Sequence, residues 1–369
     1  MCSLNVENIR LINFRNYNNF YIDLDKNINI IIGKNAQGKT NLIESIYMCA
    51  TGRSFRTYRD KEIINFSKKE AYIGANVKIG PHEKLIEIKM ERDKPKRIRI
   101  NKNELKNYKE LYSGLSVVLF SPEDLRIVKD GPSERRNFLD LSISQLKPVY
   151  SYNLGKYNKI LFQRNNILKS SKFEKNVKDL LDVFDMQICK IGTNIIIERQ
   201  KYLNKLYEIS RIIHGKITLS KEELKLKYIS NVPLIDDKNE MEKTYLELLR
   251  KNVKRDMEYG TTEIGPHRDD IFMLINNNDV KTYGSQGQQR TVILSLKLSE
   301  VELIKMERGV YPVLLLDDVF SELDEERRKY LSRSFDKMQV FITAADILDL
   351  KSIDCLNKSV FYIENGKLK

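Results

Sequence analysis

Three short strings in this chain carry residue types whose spacing can do chemistry. The first is Gly33-Lys34-Asn35-Ala36-Gln37-Gly38-Lys39-Thr40, a match to G-x-x-x-x-G-K-[ST]. Its glycines let backbone N–H groups turn toward an anion, and a helix starting there adds its positive dipole end. In that setting Lys39 reaches the β- and γ-phosphates of ATP, Thr40 supplies an oxygen to Mg2+, and Asn41 extends the cradle. The second is Val313-Leu314-Leu315-Leu316-Asp317-Asp318, a buried strand with acids at its carboxyl end, where α/β sheets bind ligands. Asp317 is placed to hold Mg2+ through water and Asp318 to act as general base beside the attacking water. A helix cap is the plainer reading of Asp-Asp, yet Ser321-Glu322-Leu323-Asp324 offers better caps. The third is Ser285-Gln286-Gly287-Gln288-Gln289-Arg290, which opens a helix with Leu294, Leu298, Val301 and Ile304 on one face. A serine and a glycine at a helix start make a second anion site. The economical reading is that Ser285, Gly287 and Gln288 address the γ-phosphate held by a second copy of the chain.

These strings need a scaffold that brings the chain's two ends together. Residues 1–134 alternate short apolar runs with turns, and Ile28-Asn29-Ile30-Ile31-Ile32 reads as a covered strand ahead of the first string. Residues 256–369 return to this alternation, and Val313–Leu316 and Val340-Phe341-Ile342-Thr343 suit the middle of a sheet. Ile271–Ile275, Asn276-Asn277-Asn278 and Val280–Tyr283 read as a hairpin. Residues 135–255 are helical. Val177, Leu181, Phe184, Ile188, Ile191 and Ile195 form one stripe, resumed at Tyr202, Leu206, Ile209 and Ile213. This is one helix of about 50 Å that wants an antiparallel partner, or two helices broken near Gly192. The fold class is α/β: a head assembled from both chain ends, a mixed sheet with flanking helices, and an inserted, mostly helical arm domain.

The 369 residues are 41% hydrophobic and 31% charged, enough for two cores. No run is long and apolar enough to span a membrane, and no secretory leader opens the chain. Cys2, Cys49, Cys189 and Cys355 are scattered without a CxxC pair, which suits a reducing, cytoplasmic setting. A net charge of +13 points to a polyanion partner, or to a lysine-rich genome. No second acidic cluster argues for a nuclease. His267 has no Cys or His neighbour, so it reads as a hydrogen-bonded structural residue.

Together the three strings and Ser321–Asp324 resemble the ABC-ATPase heads of the SMC superfamily, although the middle is far too short for their coiled coils. Further strings are similar to the RecF family of DNA repair proteins: Leu11-Ile12-Asn13-Phe14-Arg15-Asn16-Tyr17, Gly52-Arg53-Ser54-Phe55-Arg56-Thr57, Phe120–Leu125, Pro132–Asp140 and Gly265–Asp270. The resemblance implies an ATP-dependent homodimer that binds DNA at single-strand gaps and junctions. It further implies work with RecO and RecR to load RecA, no membrane, and slow ATP hydrolysis. It places Arg15 and Arg56 beside the nucleotide; an ordinary surface role is equally open for each. Arg135-Arg136 reads as a structural ion-pair contributor. Where such heads carry a γ-phosphate-sensing histidine the chain has Thr343-Ala344-Ala345-Asp346, which leaves Thr343 as the substitute. Two other classes compete: the energy module of a membrane transporter, and a structural DNA-binding protein in which hydrolysis is incidental.

Overall fold

The computed structural model describes residues 3–105, 111, 114–170, 177–346 and 357–369. Cys2 and Cys355 lie outside them. The chain divides into two compact units, one of residues 1–125, 216–220 and 290–369, the other of residues 126–215 and 221–289. The sequence boundaries at 134/135 and 255/256 differ from this division. Residues 270–275 pair with residues 224–229, and that pairing keeps the stretch up to Gln289 with the helices.

The first unit begins with β1 (Leu4–Phe14), β2 (Tyr17–Asp23), β3 (Ile28–Ile32) and α1 (Lys39–Thr51). It continues through β4 (Glu70–Ile79), β5 (His82–Glu91), β6 (Lys94–Ile100), β7 (Asn103–Glu104) and β8 (Val117–Phe120). The second unit holds α2 (Arg126–Lys129), α3 (Pro132–Leu146), α4 (Pro148–Ser170), α5 (Val177–Ile217), β9 (Leu224–Ile229) and α6 (Lys238–Tyr259). There follow β10 (Asp270–Ile275), β11 (Asn278–Asp279), α7 (Val280–Tyr283) and the start of α8 (Gln286–Arg308). The first unit resumes with β12 (Val313–Leu316), α9 (Glu325–Ser332), β13 (Val340–Ala344), β14 (Lys358–Glu364) and β15 (Lys367–Leu368).

Among the described residues, one sheet of the first unit has the order β15-β14-β3-β13-β12-β8. From β14 to β8 every neighbour is parallel, and β3, β8 and β12, apolar apart from Asn29, are buried on both faces, as parallel strands require. A second sheet, β2-β1-β4-β5-β6-β7, is antiparallel and alternates buried with exposed positions. Helix α1 shares one hydrophobic core with both: Leu42, Ile43 and Ile46 are buried with Ile31, Leu315 and Phe341 from the parallel sheet and Leu11, Ile73 and Ile88 from the other.

In the second unit α5 is one continuous helix, and Gly192 has a different purpose from breaking it. A Cβ there would sit 2.7 Å from the Tyr245 ring and 3.2 Å from Tyr157, so glycine lets α6 and α4 close on α5. Asp182 pairs with Arg250 while Gly192 meets Tyr245, so α5 and α6 run antiparallel, as the single stripe demands. The expected hairpin is shorter than its sequence suggests. Its second strand stops at Asp279, whose carboxylate accepts from the Lys281 and Thr282 N–H groups and starts α7, so Val280–Tyr283 is helical.

Candidate nucleotide site

The carboxyl ends of three adjacent parallel strands meet at one edge of the first unit: β3 leads into Gly33, β12 into Asp317, and β13, between them, carries Thr343. After β3 the backbone turns through left-handed conformations at Ala36 (φ 65°) and Gly38 (φ 119°) before α1 begins. Gly33 is forced by crowding, because a Cβ would lie 2.4 Å from the Ile363 carbonyl oxygen of β14. Neighbouring segments brace the loop. Asn16 donates to the Gln37 carbonyl (2.8 Å) and accepts from Asn41 (2.8 Å), and Tyr17 donates to the Gly38 carbonyl (3.0 Å). From the turn after β14, Gly366 N donates to the Gln37 carbonyl (3.1 Å) and Asn365 N to its side-chain oxygen (2.6 Å).

Lys39 is 4% exposed, and its ammonium donates to the Gly33 (2.7 Å) and Lys34 (3.2 Å) carbonyls. Among the described residues it makes no ion pair, and a buried cation without an anion is costly. Such a cation in a backbone cradle fits the phosphates of a nucleotide. Beside it, Asp317 Oδ1 accepts from the hydroxyls of Thr40 (3.0 Å) and Thr343 (2.9 Å). Burial raises the Asp317 carboxyl above its ordinary range, and those two hydrogen bonds pull the other way. A hydroxyl and a carboxylate held together make an oxygen donor set suited to Mg2+. Asp318 takes a left-handed φ of 53°, and its N–H donates to Thr343 Oγ1 (2.9 Å). The cap of α9 is Asp324, which accepts from Arg327 N (3.0 Å).

Arg15, Ser285, Gly287 and Gln288 are placed differently from the cradle. The Arg15 guanidinium donates twice to the fully buried Glu44 of α1 (2.6 and 2.9 Å) and once to the Glu62 carbonyl (2.8 Å), so it braces α1. Arg56 donates to Asn41 (2.8 Å). Ser285, Gly287 and Gln288 lie in the second unit, at the start of α8. There Ser285 Oγ accepts from Gln288 N (3.2 Å) and Gln288 Oε1 accepts from Ser285 N (2.9 Å), a reciprocal capping box. The Gln288 amide also donates to Glu222 (2.9 Å), so its side chain is engaged in capping and in that bond. Ser285 is exposed. Thr343, read from sequence as a γ-phosphate sensor, is 1% exposed; its hydroxyl donates to Asp317 and accepts from Asp318, which makes it a positioning residue for both. Glu44, Asn16 and Tyr17 went unread in the sequence as parts of this site, although Asn16 and Tyr17 stand in one of the quoted strings.

The arginine-rich strings prove structural within the second unit. Arg135 pairs with Asp270 (2.5 Å) and Arg136 donates to the Asp269 carbonyl (2.8 Å). His267 accepts from Tyr157 or donates to it at Nδ1 (2.7 Å) and meets the Thr262 carbonyl at Nε2 (2.8 Å). Burial pushes its pKa down to about 4, so it is neutral.

Fold and site define an ABC-type ATPase head of the kind found in SMC proteins. The Smc head domain of Pyrococcus furiosus superposes with a TM-score of 0.56 at 14% identity over 99% of this chain and 95% of that one, a likeness of fold. The family model for the RecF/RecN/SMC N-terminal domain matches residues 5–367. The DNA replication and repair protein RecF of Clostridium botulinum (strain ATCC 19397 / Type A) is 46% identical over 365 residues, 99% of each chain. That of Alkaliphilus oremlandii is 45% identical over 98% of this chain and 99% of its own. A solved structure of the recombination mediator protein RecF with ATP, in the RecFOR pathway, has a TM-score of 0.93 at 38% identity, over 100% of this chain and 97% of that one. The chain belongs to the RecF family of DNA replication and repair proteins.

Proposed function

We propose that this chain is a cytoplasmic, ATP-dependent DNA-binding protein of recombinational repair. It dimerises around two ATP molecules, clamps DNA at single-strand gaps and junctions, promotes RecA loading with RecO and RecR, and hydrolyses ATP slowly. The observation that supports it best is the buried Lys39 ammonium, which lacks an anion within a cradle of left-handed backbone. Gly33, Lys34, Asn35, Ala36, Gln37 and Gly38 form the proposed phosphate cradle, Lys39 neutralises the phosphate, and Asn41 is tied to the loop through Asn16. Thr40 and Asp317 would hold Mg2+, which draws charge off the phosphates as it develops. Asp318 is the proposed general base for water. Aspartate stands where such heads commonly have glutamate; one methylene shorter, it reaches less far, and a misplacement of about 1 Å costs on the order of a hundredfold in rate. Slow turnover makes the ATP-bound dimer a timed clamp.

Ser285 and Gly287, exposed or half-buried at a helix start, are the proposed contacts to the partner copy's γ-phosphate. Arg15 is proposed beside the nucleotide and Gln288 beside the partner copy's; Arg15 also braces α1 and Gln288 also caps α8. Sedimentation velocity with ATP and a gapped duplex tests the whole reading. The wild-type chain is expected to shift to a dimer only with ATP and to bind DNA more tightly as one. Ser285→Arg is expected to keep ATP binding and lose the dimer. A mutant that still dimerises with ATP would refute the two-copy geometry.

A further inference from the structure

Residues 53–69, between α1 and β4, hold six basic residues (Arg53, Arg56, Arg59, Lys61, Lys68, Lys69) against two acidic ones (Asp60, Glu62). The segment also displays two aromatic rings to solvent: Tyr58 is 92% exposed and Phe66 is 99% exposed. A lone apolar side chain on a surface means little. Here the backbone under Phe66 is fixed with unusual care. Arg92, in the turn after β5, donates to the carbonyls of Asn65 (3.2 Å), Phe66 (3.1 Å) and Lys68 (2.9 Å), and its own N–H donates to the Lys69 carbonyl (3.1 Å). From the other side, Asn65 donates from its amide to the Arg15 carbonyl (3.0 Å) and from its N–H to the Asn13 carbonyl (2.9 Å). Its side-chain oxygen accepts from Ser67 N (3.2 Å) and Ser67 Oγ (3.0 Å).

A guanidinium fork and an asparagine therefore hold a tight turn whose tip is a bare phenyl ring, followed at once by Lys68 and Lys69. A preorganised ring loses little entropy on binding, which favours contact with something flat. Cations beside it favour a polyanion over an apolar protein face. The partner that joins flat π-faces to a row of phosphates is single-stranded nucleic acid.

We propose that the Asn65–Lys69 turn is a base-stacking element: Phe66 stacks on an unpaired base beside a duplex end, and Lys68 and Lys69 hold the flanking phosphates. This rests on the DNA-binding reading above, and it names the part of the DNA that this turn recognises. In a blunt duplex every base is already stacked, so the ring has little to gain there.

Fluorescence anisotropy with a labelled gapped duplex, a single strand and a blunt duplex tests it. Phe66→Ala is expected to weaken binding to the first two by roughly 5- to 150-fold, the range for one stacked base, and to leave the blunt duplex within about twofold. Because the ring is exposed, the variant should bind an ATP analogue as the wild type does. The chain has no tryptophan, so Phe66→Trp supplies a clean reporter; it should keep affinity and show quenching on adding the single strand. Lys68→Gln with Lys69→Gln should weaken all three DNAs and flatten the salt dependence by about one to two in the log–log slope. Equal effects of Phe66→Ala on all three DNAs, no effect on any, or an unquenched tryptophan would overturn the stacking role while wild-type binding stands. If the wild-type chain binds none of the DNAs, the DNA-binding reading falls with it.

Discussion

Lys39 in the first unit and Arg164 in the second are both cations removed from water, with exposures of 4% and 0%, and they are held in opposite ways. Arg164 of α4 donates to Asp185 of α5 (2.6 Å), to Asp256 of α6 (2.7 Å) and to Thr262 (2.8 Å), so its counter-charge comes from its own helices. Arg199 repeats the pattern with Asp140 (2.8 and 3.0 Å) and the Pro266 carbonyl (2.6 Å). Among the described residues Lys39 meets only carbonyls, on a loop bent through left-handed backbone. A buried cation that the chain neutralises itself fixes helices to one another. One left to backbone dipoles is shaped for an anion that arrives from outside. The contrast separates structure from function without any reference to sequence strings.

The largest expected effect lies on the structural side. Arg164→Ala strands two buried carboxylates and should cost about 3–5 kcal/mol, read as a lower denaturant midpoint. Replacing the set together, Arg164→Met with Asp185→Leu and Asp256→Leu, should recover most of that loss. A cost below about 1 kcal/mol for Arg164→Ala would mean that water reaches the network, and the contrast would blur.

The functional side should answer in binding and spare stability. Lys39→Ala is expected to cost about 2–5 kcal/mol of affinity for a fluorescent ATP analogue, enough to remove detectable binding at micromolar concentrations. Its denaturant midpoint should not fall, because an unneutralised buried charge has gone. A lowered midpoint with affinity retained would reverse the assignment.

The smallest effect sharpens the comparison within the site. Thr343→Val keeps the shape but removes the hydroxyl that joins Asp317 to the Asp318 N–H. Single-turnover hydrolysis should slow on the order of tenfold, as expected when one buried hydrogen bond that aligns reacting groups is lost. Affinity for the ATP analogue without Mg2+ should stay within about twofold, and Thr343→Ser should restore the rate. A Thr343→Val variant with full turnover would show that Asp318 is positioned by other means.

How much of this was legible in the sequence depended on how far apart the cooperating residues stand. The phosphate loop is a local pattern: a strand, two glycines, a lysine and a helix sit within one short run, and spacing alone reveals them. The stripe from Leu181 to Ile213 likewise announced α5, because a helix repeats on its own period. Gly192 left a break open as an alternative, because its reason is the Tyr245 ring of another helix, which no local rule contains. Val280–Tyr283 looked like a strand by composition, and one carboxylate, that of Asp279, turned it into a helix. Thr343 could be placed on a strand, yet its role came from strand order, which sets β13 between β3 and β12. Arg15 and Gln288 were read by their strings, while their partners Glu44 and Glu222 stand at distances that spacing does not constrain.

The turn after β14 gives the chain an order in time. Asn365 reaches Gln37 across 328 positions, and Gly366 closes the same loop. A ribosome adding about 5–20 residues per second makes residues 33–40 on the order of half a minute before the residues that brace them. While it is being made, the nascent chain therefore displays a nucleotide signature that lacks its brace. A message cut short between codons 41 and 364 yields a chain with the signature and without that support. The brace therefore forms only once translation has reached this point, and the loop's final geometry is set by nearly the last residues made.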